Sequence, residues 1–265
     1  MFRPRRRCGF TLIELLVVIG IIGVLVTLLV PTVSRATAMV RERVTRSIVK
    51  ELEVGLEAFK ADFGVYPPSK PYVANDPTAG QRLTGAANLA YYLLGPGRSG
   101  WGIAGGGVMP FGKARPSRSY GPYFQADEDA MRYYEDASRE GQIAGFLDRY
   151  NPAGVILYFA GRVLADGSTQ FNWADCNDGG TDHLAKTNYA SLEYFEQSVM
   201  QTLGRSQTAP TRYWRQDYFL VSPGMDGRYG AILQNKNTGE WEPTDLSTAG
   251  AHCDDIGNWK RYGER

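Results

Sequence analysis

The stretch FTLIELLVVIGIIGVLVTLLV, residues 10–30, decides how this chain is organised, because Glu14 is the only charged residue among its 21. As a helix it would be about 31 Å long, which matches the hydrocarbon core of a bilayer. A secretory signal peptide would have a shorter apolar region and then a small-residue cleavage site, and Pro31-Thr32-Val33 offers none. An ordinary membrane anchor would exclude Glu14, because a carboxylate inside the bilayer costs at least about 2.5 kcal/mol. The stretch therefore predicts a membrane-spanning helix whose acid needs a partner.

The residues before this stretch form a basic leader. Its four positive charges lie on Arg3, Arg5, Arg6 and Arg7. Such charges are topogenic, because Lys and Arg are retained on the cytoplasmic side of a membrane. Loss of residues 1–9, which hold these four charges and no acid, would change the formal charge from +1 to −3. The mildly acidic remainder has no basic face, so nucleic acid is not an expected partner.

Beyond the membrane-spanning stretch, apolar residues continue at helical spacing as far as Phe63. They are Val33, Val40, Val44, Ile48, Leu52, Leu56, Phe59 and Phe63. Steps of three, four and seven residues predict an amphipathic helix whose apolar stripe packs against a globular head as structural core. Gly64 and then Pro67-Pro68 mark its end. One helix from about Phe10 to Phe63 would be roughly 80 Å long.

The remainder of the chain, residues 64–265, predicts one α+β head, in which the long helix is backed by a small antiparallel sheet with large loop insertions. A composition with 43% hydrophobic and 12% aromatic residues is sufficient for a buried core. The individual predictions are strands at 154–160 and 217–221, a long loop at 95–122, and helices at 127–142 and 193–204.

The residues around Gly9 carry a family resemblance. Arg-Arg-Arg-Cys-Gly followed by Phe-Thr-Leu-Ile-Glu-Leu resembles the class III leader of type IV pilins and type II secretion pseudopilins. The resemblance implies a type IV pilin-like fold, cleavage after Gly9 by the prepilin peptidase, and N-methylation of the new terminal Phe10. Glycine suits the cut site because a residue without Cβ leaves the peptide bond accessible. The implied segments are a cleaved leader 1–9, a transmembrane and assembly half-helix 10–30, an amphipathic half-helix 31–63 and a head 64–265.

The position of Glu14 gives it a role that can be argued from charge alone. Cleavage before Phe10 creates an ammonium group within the bilayer, and Glu14 of one subunit can neutralise the terminus of its neighbour. Two costly charges then become one hydrogen-bonded pair, which sets register and stagger. We therefore expect a homo-oligomer in the form of a helical filament, assembled through Glu14.

Three residues in or beside the membrane-spanning stretch weaken its helix. They are Gly20, Gly23 and Pro31, and their cost is about 1 kcal/mol for each glycine and about 3 kcal/mol for an interior proline. The resemblance implies local unwinding here in an assembled filament. A simple kinked membrane helix would carry the same residues.

Further along the chain, five phrases resemble the major pseudopilin of type II secretion, and they follow that family's order. They are LEAFKADFGVYP at 56–67, GPY at 121–123, DRYNPAG at 148–154, SPGMDG at 222–227 and DDIGNW at 254–259. The resemblance implies a structural subunit of a pseudopilus that moves secreted proteins across the outer membrane. It also implies a single-pass inner-membrane protein with a periplasmic head, whose partners are the prepilin peptidase, the inner-membrane platform of the secretion system and minor pseudopilins.

Two other functions remain open at this stage. One is a type IV pilin of a surface fibre for adhesion, motility or DNA uptake, and the other is a filament-displayed head that binds a ligand such as a glycan. An enzyme is not expected, because the chain has no nucleophile elbow, phosphate loop or metal-hydrolase motif and only two histidines, His183 and His252.

The same resemblance implies a Ca²⁺ site in the C-terminal loop. By position, its ligands would be the carboxylates of Asp226, Asp254 and Asp255 and the carbonyl of Pro223. Ca²⁺ takes six to eight oxygen ligands in flexible geometry, which suits such a loop. The sequence departs from the family pattern, because 27 residues separate Asp226 from Asp254. Turn-forming aspartates in a solvated loop are the alternative.

Two cysteines, Cys176 and Cys253, remain once Cys8 is lost with the leader. An even pair in an exported chain suggests a disulfide. Two unpaired thiols are the alternative.

Overall fold

The computed structural model describes only part of the chain. The described residues are 12–69, 84–112, 118–134, 141–150, 154–163, 169–171, 217–224, 229, 232–234, 241–243 and 256–258. The chain divides into two compact units, Met1–Arg41 and Glu42–Arg265. Helix α1 (Leu12–Phe63) contributes residues 12–41 to the first unit and residues 42–63 to the second.

The second unit buries one face of α1. That face consists of Thr45, Val49, Leu52, Gly55, Leu56, Phe59 and Phe63. The lower part of the predicted stripe, from Leu52 to Phe63, is therefore confirmed as core. Its upper part is wrong, because Val33, Val40 and Val44 are 51%, 59% and 39% exposed.

The difference begins at Thr45, which is fully buried although it is polar. Its Oγ1 accepts a hydrogen bond from the backbone N–H of Arg149 at 3.2 Å, so its burial leaves no unsatisfied hydroxyl acceptor at this point. The buried face of α1 therefore passes through Thr45 and Val49, and Val44 is turned outward. A search for apolar periodicity does not include threonine and so follows the wrong residues here.

The predicted end of α1 is confirmed. Gly64 has a φ of +82°, and its N–H donates to the carbonyl of Lys60 at 2.7 Å. Glycine is favoured in this left-handed conformation, which closes the last turn of a helix. Pro67 and Pro68 follow in non-helical backbone.

A second helix, α2 (Gly85–Leu94), was not predicted from the sequence. It begins at Thr84, whose Oγ1 accepts the N–H of Ala87 at 3.2 Å. All but one of its residues are buried, so its sequence GAANLAYYLL has no polar face that would show a helical period. Trp101 locks the helix to the next segment, since its indole Nε1–H donates to the carbonyl of Tyr92 at 2.9 Å.

The central sheet has three antiparallel strands in the order β11-β8-β5. They are β5 (Leu157–Ala160), β8 (Tyr218–Ser222) and β11 (Ile256–Gly257). The predicted strands at 154–160 and 217–221 are thus confirmed with small shifts at their ends. Tyr158 and Leu220 share a core cluster with the buried face of α1, and they are cross-strand partners.

Both faces of this sheet are buried. Phe159 and Phe219, which are also cross-strand partners, alternate with the residues that face α1 and yet are fully buried. Phe171 packs against Phe219 with ring centroids 4.6 Å apart. The hydroxyl of Tyr229 bonds to both backbone groups of Val155. A layer of the head therefore covers the side of the sheet that lies away from α1.

The other described strands form two-stranded antiparallel pairs. The pairs are β1 (Trp101–Gly102) with β2 (Ser119–Tyr120), β3 (Met131–Tyr133) with β4 (Ile143–Phe146), β6 (Arg162–Val163) with β7 (Thr169–Gln170), and β9 (Ile232–Gln234) with β10 (Trp241–Pro243). The β1–β2 pair lies inside the predicted long loop at 95–122. The predicted helix at 193–204 lies outside the described residues.

The predicted helix at 127–142 is wrong. Its first residues form a 3₁₀ turn, Glu128–Ala130, and β3 and β4 then form a hairpin around residues 135–140, which lie outside the described part. The composition of this segment favours a helix, but Met131 and Tyr134 are buried, and pairing with β4 places them in the core. Tertiary packing has overridden local propensity here.

One close approach fixes the Gly-Pro-Tyr segment against both helices. A Cβ built on Gly55 of α1 would lie 2.7 Å from the backbone oxygen of Tyr123. The N–H of Tyr123 donates to the carbonyl of Leu93 in α2 at 2.8 Å, and its hydroxyl donates to Asp62 of α1 at 2.8 Å. The structure therefore confirms an α+β fold with a long N-terminal helix and small antiparallel sheets, as the resemblance implied.

Candidate assembly helix

The predicted assembly residue, Glu14, lies in the first turn of α1 and is exposed. A carboxylate at this end of a helix is favoured by the helix dipole. Gly9 and Phe10, the predicted processing residues, lie outside the described part of the chain. The cleavage, methylation and assembly roles of these three residues remain predictions.

The surface around Glu14 is apolar and has no cover within the first unit. Every residue from 12 to 37 is exposed, and the large apolar side chains in the membrane-spanning stretch range from 44% exposed at Val18 to 82% at Leu12. Such a contiguous apolar surface marks a membrane or protein contact. The helix is also long and apolar enough to cross a membrane.

Hydroxyl groups on this surface donate to the backbone of the same helix. Thr27 donates to the carbonyl of Val24 at 2.7 Å, and Thr32 donates to that of Leu28 at 2.9 Å. Ser34 and Thr37 donate in the same way, at 3.0 and 2.8 Å. Because lipid supplies no hydrogen-bond partner, polar side chains in a membrane helix must be satisfied internally. The pattern is therefore compatible with a lipid-facing surface.

The helix-weakening residues have no packing role within the described chain. A Cβ at Gly20 or at Gly23 would have nothing within 4 Å among the described residues. Helix α1 is continuous through Pro31, although a proline there has no N–H to donate to the carbonyl of Thr27. The predicted local unwinding concerns an assembled filament and stays a prediction.

Past the apolar stretch, the outer face of α1 carries charges that are paired along the helix. Arg46 contacts Glu42 at 2.9 Å, and Lys50 contacts Glu53 at 2.8 Å. The hydrogen bond with Glu53 raises the pKa of Lys50. Exposed pairs of this kind contribute little to stability, so this face is a solvated surface available to a neighbour.

The end of α1 is tied to the head through tyrosines. The hydroxyl of Tyr66 donates to Glu57 at 2.7 Å, and Lys60 lies 4.2 Å above the Tyr66 ring and contacts Asp217 at 3.1 Å. Tyr66 and then Asp217 raise the pKa of Lys60. Deeper in the core, burial raises the pKa of Tyr158 well above its usual value.

Of the predicted Ca²⁺ ligands, the structure describes only Pro223, which follows β8. Asp226, Asp254 and Asp255 lie outside the described residues, and so do Cys176 and Cys253. Within the described part, no group of three or more His, Cys, Asp or Glu residues could hold a metal ion. The Ca²⁺ site and the disulfide therefore remain predictions.

Sequence reasoning missed a buried carboxylate beside Pro223. Asp148 is 2% exposed, and its Oδ2 accepts the hydroxyl of Ser222 at 2.6 Å. The Oγ of Ser222 in turn accepts the N–H of Gly224 at 3.3 Å, so Asp148 supports the turn that contains Pro223. The sequence signal was present in the phrase DRYNPAG, but it gave no reason to expect burial of the acid.

Comparison with known proteins agrees with the N-terminal geometry. Residues 4–30 match the model of the prokaryotic N-terminal methylation motif. The chain is 35% identical over 66 residues to the type II secretion system core protein G of Pseudomonas aeruginosa, and those residues are 25% of this chain and 46% of the relative. It is 36% identical over 80 residues to the core protein G of Aeromonas hydrophila, across 29% of this chain and 56% of the relative.

The chain thus spans about half the length of these two relatives, and it is itself nearly twice as long as they are. No solved structure matches it significantly. The methylation motif, the homology and the single apolar helix fit a protein anchored in the inner membrane. The chain is therefore a prepilin-type protein that is homologous to type II secretion system core protein G, a major pseudopilin.

Proposed function

We propose that this chain is a structural subunit of the pseudopilus of a type II secretion system. The prepilin peptidase cleaves it after Gly9 and methylates Phe10, and the mature subunit assembles through α1 into a filament that moves secreted proteins across the outer membrane. The head lies in the periplasm. The inner-membrane platform of the secretion system and minor pseudopilins are its other partners.

The observation that carries this proposal is the exposed apolar surface of α1 with one acid in its first turn. Residues 12–37 make no buried contact within their own unit, so a membrane or other helices must cover them. Glu14 is costly in either setting unless an opposite charge meets it. The terminal ammonium of a neighbouring subunit, formed at Phe10, is the compensating charge. The homology to core protein G favours a secretion pseudopilus over a surface pilus.

Assembly is tested with Glu14→Ala, produced in cells together with the peptidase and the secretion system. We expect cleavage to persist while ordered filaments are lost, because an isolated terminal ammonium in lipid costs several kcal/mol. Glu51→Ala is the matched control, since Glu51 is an exposed acid on the same helix outside the apolar stretch. Filaments are scored by electron microscopy and cleavage by mass spectrometry. Normal filaments from Glu14→Ala would refute the assembly mechanism.

Processing is tested separately with Gly9→Val. A β-branched residue hinders access to the peptide bond, so we expect a full-length precursor that stays in the membrane. The intact N-terminus is identified by mass spectrometry. Cleavage of this variant at the wild-type rate would contradict the assigned cut site.

We also propose Ca²⁺ binding in the C-terminal loop by Pro223, Asp226, Asp254 and Asp255. Its support is the register of the central sheet: Ile256, the residue after Asp255, pairs with Ser222, the residue before Pro223. Carboxylate and carbonyl oxygens are the donors that Ca²⁺ prefers. When bound, the ion would order the loop.

The Ca²⁺ proposal predicts that the full chain in detergent melts at a higher temperature in Ca²⁺ than in chelator. An increase of about 2.7 kcal/mol in unfolding free energy is expected at 100 times the dissociation constant. Asp254→Asn should abolish the shift, and Asp129→Asn, an exposed acid elsewhere in the head, should preserve it. Identical melting with Ca²⁺ and with chelator would remove this part of the proposal.

A further inference from the structure

The head contains a cavity of about 380 Å³ between α2, the turn after it and the β3–β4 hairpin. Small and aliphatic side chains line most of it, together with the partly exposed Tyr91 and Tyr133. A concave site of this size with aromatic walls and a few polar groups is typical of small-molecule binding. Neither assembly through α1 nor the C-terminal loop uses it.

Gln142, one of the lining residues, brings a buried polar atom to this cavity. Its side-chain Oε1 is buried and accepts no hydrogen bond from any residue that the structure describes. Its backbone carbonyl is already used, because it accepts the N–H of Tyr134 at 3.0 Å. Buried acceptors without a donor are uncommon and destabilising in native proteins. A donor from outside the chain would satisfy this one.

Arg98 lies at the same cavity in a strained backbone conformation. Its φ is +62°, in the left-handed region that disfavours a residue with a Cβ. Its guanidinium contacts Glu128 at 3.1 Å and the hydroxyl of Tyr133 at 3.4 Å. Glycine would fit this position without strain, and strained residues concentrate at functional sites. The arginine is therefore kept for its side chain.

We propose that this cavity binds a small neutral saccharide. Glu128 compensates the charge of Arg98, which favours an uncharged ligand. The occupant must donate to Gln142 and accept from Arg98, and a ring with several hydroxyl groups does both while its carbon faces contact Tyr91 and Tyr133. An extended peptide is disfavoured, since peptide capture at a hairpin relies on free backbone groups and the Gln142 carbonyl is already paired.

The test uses the full chain in a zwitterionic detergent without a sugar headgroup, because a glycosidic detergent would compete. Glucose, galactose and N-acetylglucosamine are the probes, and binding is measured by saturation-transfer NMR and by titration calorimetry. We expect at least one sugar to bind, and Gln142→Met to weaken its binding about tenfold through loss of one hydrogen bond. Arg118→Ala, an exposed arginine outside the cavity, should bind as the wild type does.

Arg98→Gly separates a binding role from a structural one. Relief of the left-handed strain should leave the melting temperature unchanged or raise it, while sugar binding falls about tenfold. A purely structural arginine would lower the melting temperature instead and leave binding intact. Should Gln142→Met fail to fold, Arg98→Gly decides alone. Absence of binding for all three sugars at millimolar concentration, wild-type affinity in Arg98→Gly, or binding of short peptides in place of sugars would each overturn the proposal.

Discussion

Substitution of Gly55 by alanine should destabilise the head, although alanine is the better helix former. In an exposed helix interior, this change would stabilise by about 1 kcal/mol. At Gly55 the added Cβ would lie 2.7 Å from the backbone oxygen of Tyr123, a distance that requires movement of the backbone. Overpacking of this kind costs about 1–3 kcal/mol.

The segment that would have to move is held from two sides. Tyr123 bonds through its N–H to Leu93 and through its hydroxyl to Asp62, both at 2.8 Å. Each of these hydrogen bonds contributes about 0.5–1.5 kcal/mol, so a shift that weakens them adds to the loss. We expect a net decrease of about 1–3 kcal/mol in the free energy of unfolding, or a melting temperature lower by several degrees for a domain of this size.

Thermal and urea unfolding of the full chain in detergent, followed by tryptophan fluorescence and near-UV circular dichroism, measures this change. Val54→Ala is the matched control, because Val54 is the preceding residue of the same helix and is 68% exposed. It tests helix propensity without a new contact, and should be neutral or slightly stabilising. If Gly55→Ala were as stable as Val54→Ala, the close approach of Tyr123 to α1 would be refuted.

Three further substitutions follow from the described contacts. Burial raises the pKa of Tyr158, so stability that is present below the unfolded value of about 10 should be lost as the pH rises above it, by up to about 1.4 kcal/mol per pH unit; the alkaline decline in urea-unfolding free energy should be shallower in Tyr158→Phe. Thr45→Val leaves the buried N–H of Arg149 without its acceptor and should cost about 1–3 kcal/mol in the same measurement, whereas Thr45→Ser should retain most of the stability. Asp217→Asn removes a half-exposed partner of Lys60 and should change the melting temperature little, because such pairs contribute less than about 1 kcal/mol; a large decrease would contradict that view of the contact.

The sequence predicted the parts of this fold that local chemistry determines. The end of α1 follows from Gly64 and the prolines after it, and the two main strands follow from short runs of β-branched and aromatic residues. The acid at Glu14 was evident because nothing else in the membrane-spanning stretch is charged.

Features that depend on distant contacts were missed. Helix α2 is buried on almost every side and shows no period, and the segment 127–142 resembles a solvated helix until β4 pairs with β3. Thr45 and Asp148 are core residues only because Arg149 and Ser222 supply their hydrogen bonds. Pairing between positions that are about 75 to 100 residues apart in the chain cannot be inferred from a single sequence.

The covering of the central sheet on its second side restricts how this head can change. Phe159 and Phe219 lie beneath Phe171 and its surroundings, so the additional polypeptide is part of the hydrophobic interior. Trimming the chain to the length of its relatives would bare an aromatic strip on the sheet and favour aggregation. A shortened variant would therefore need polar replacements on those strands as well as the deletion itself.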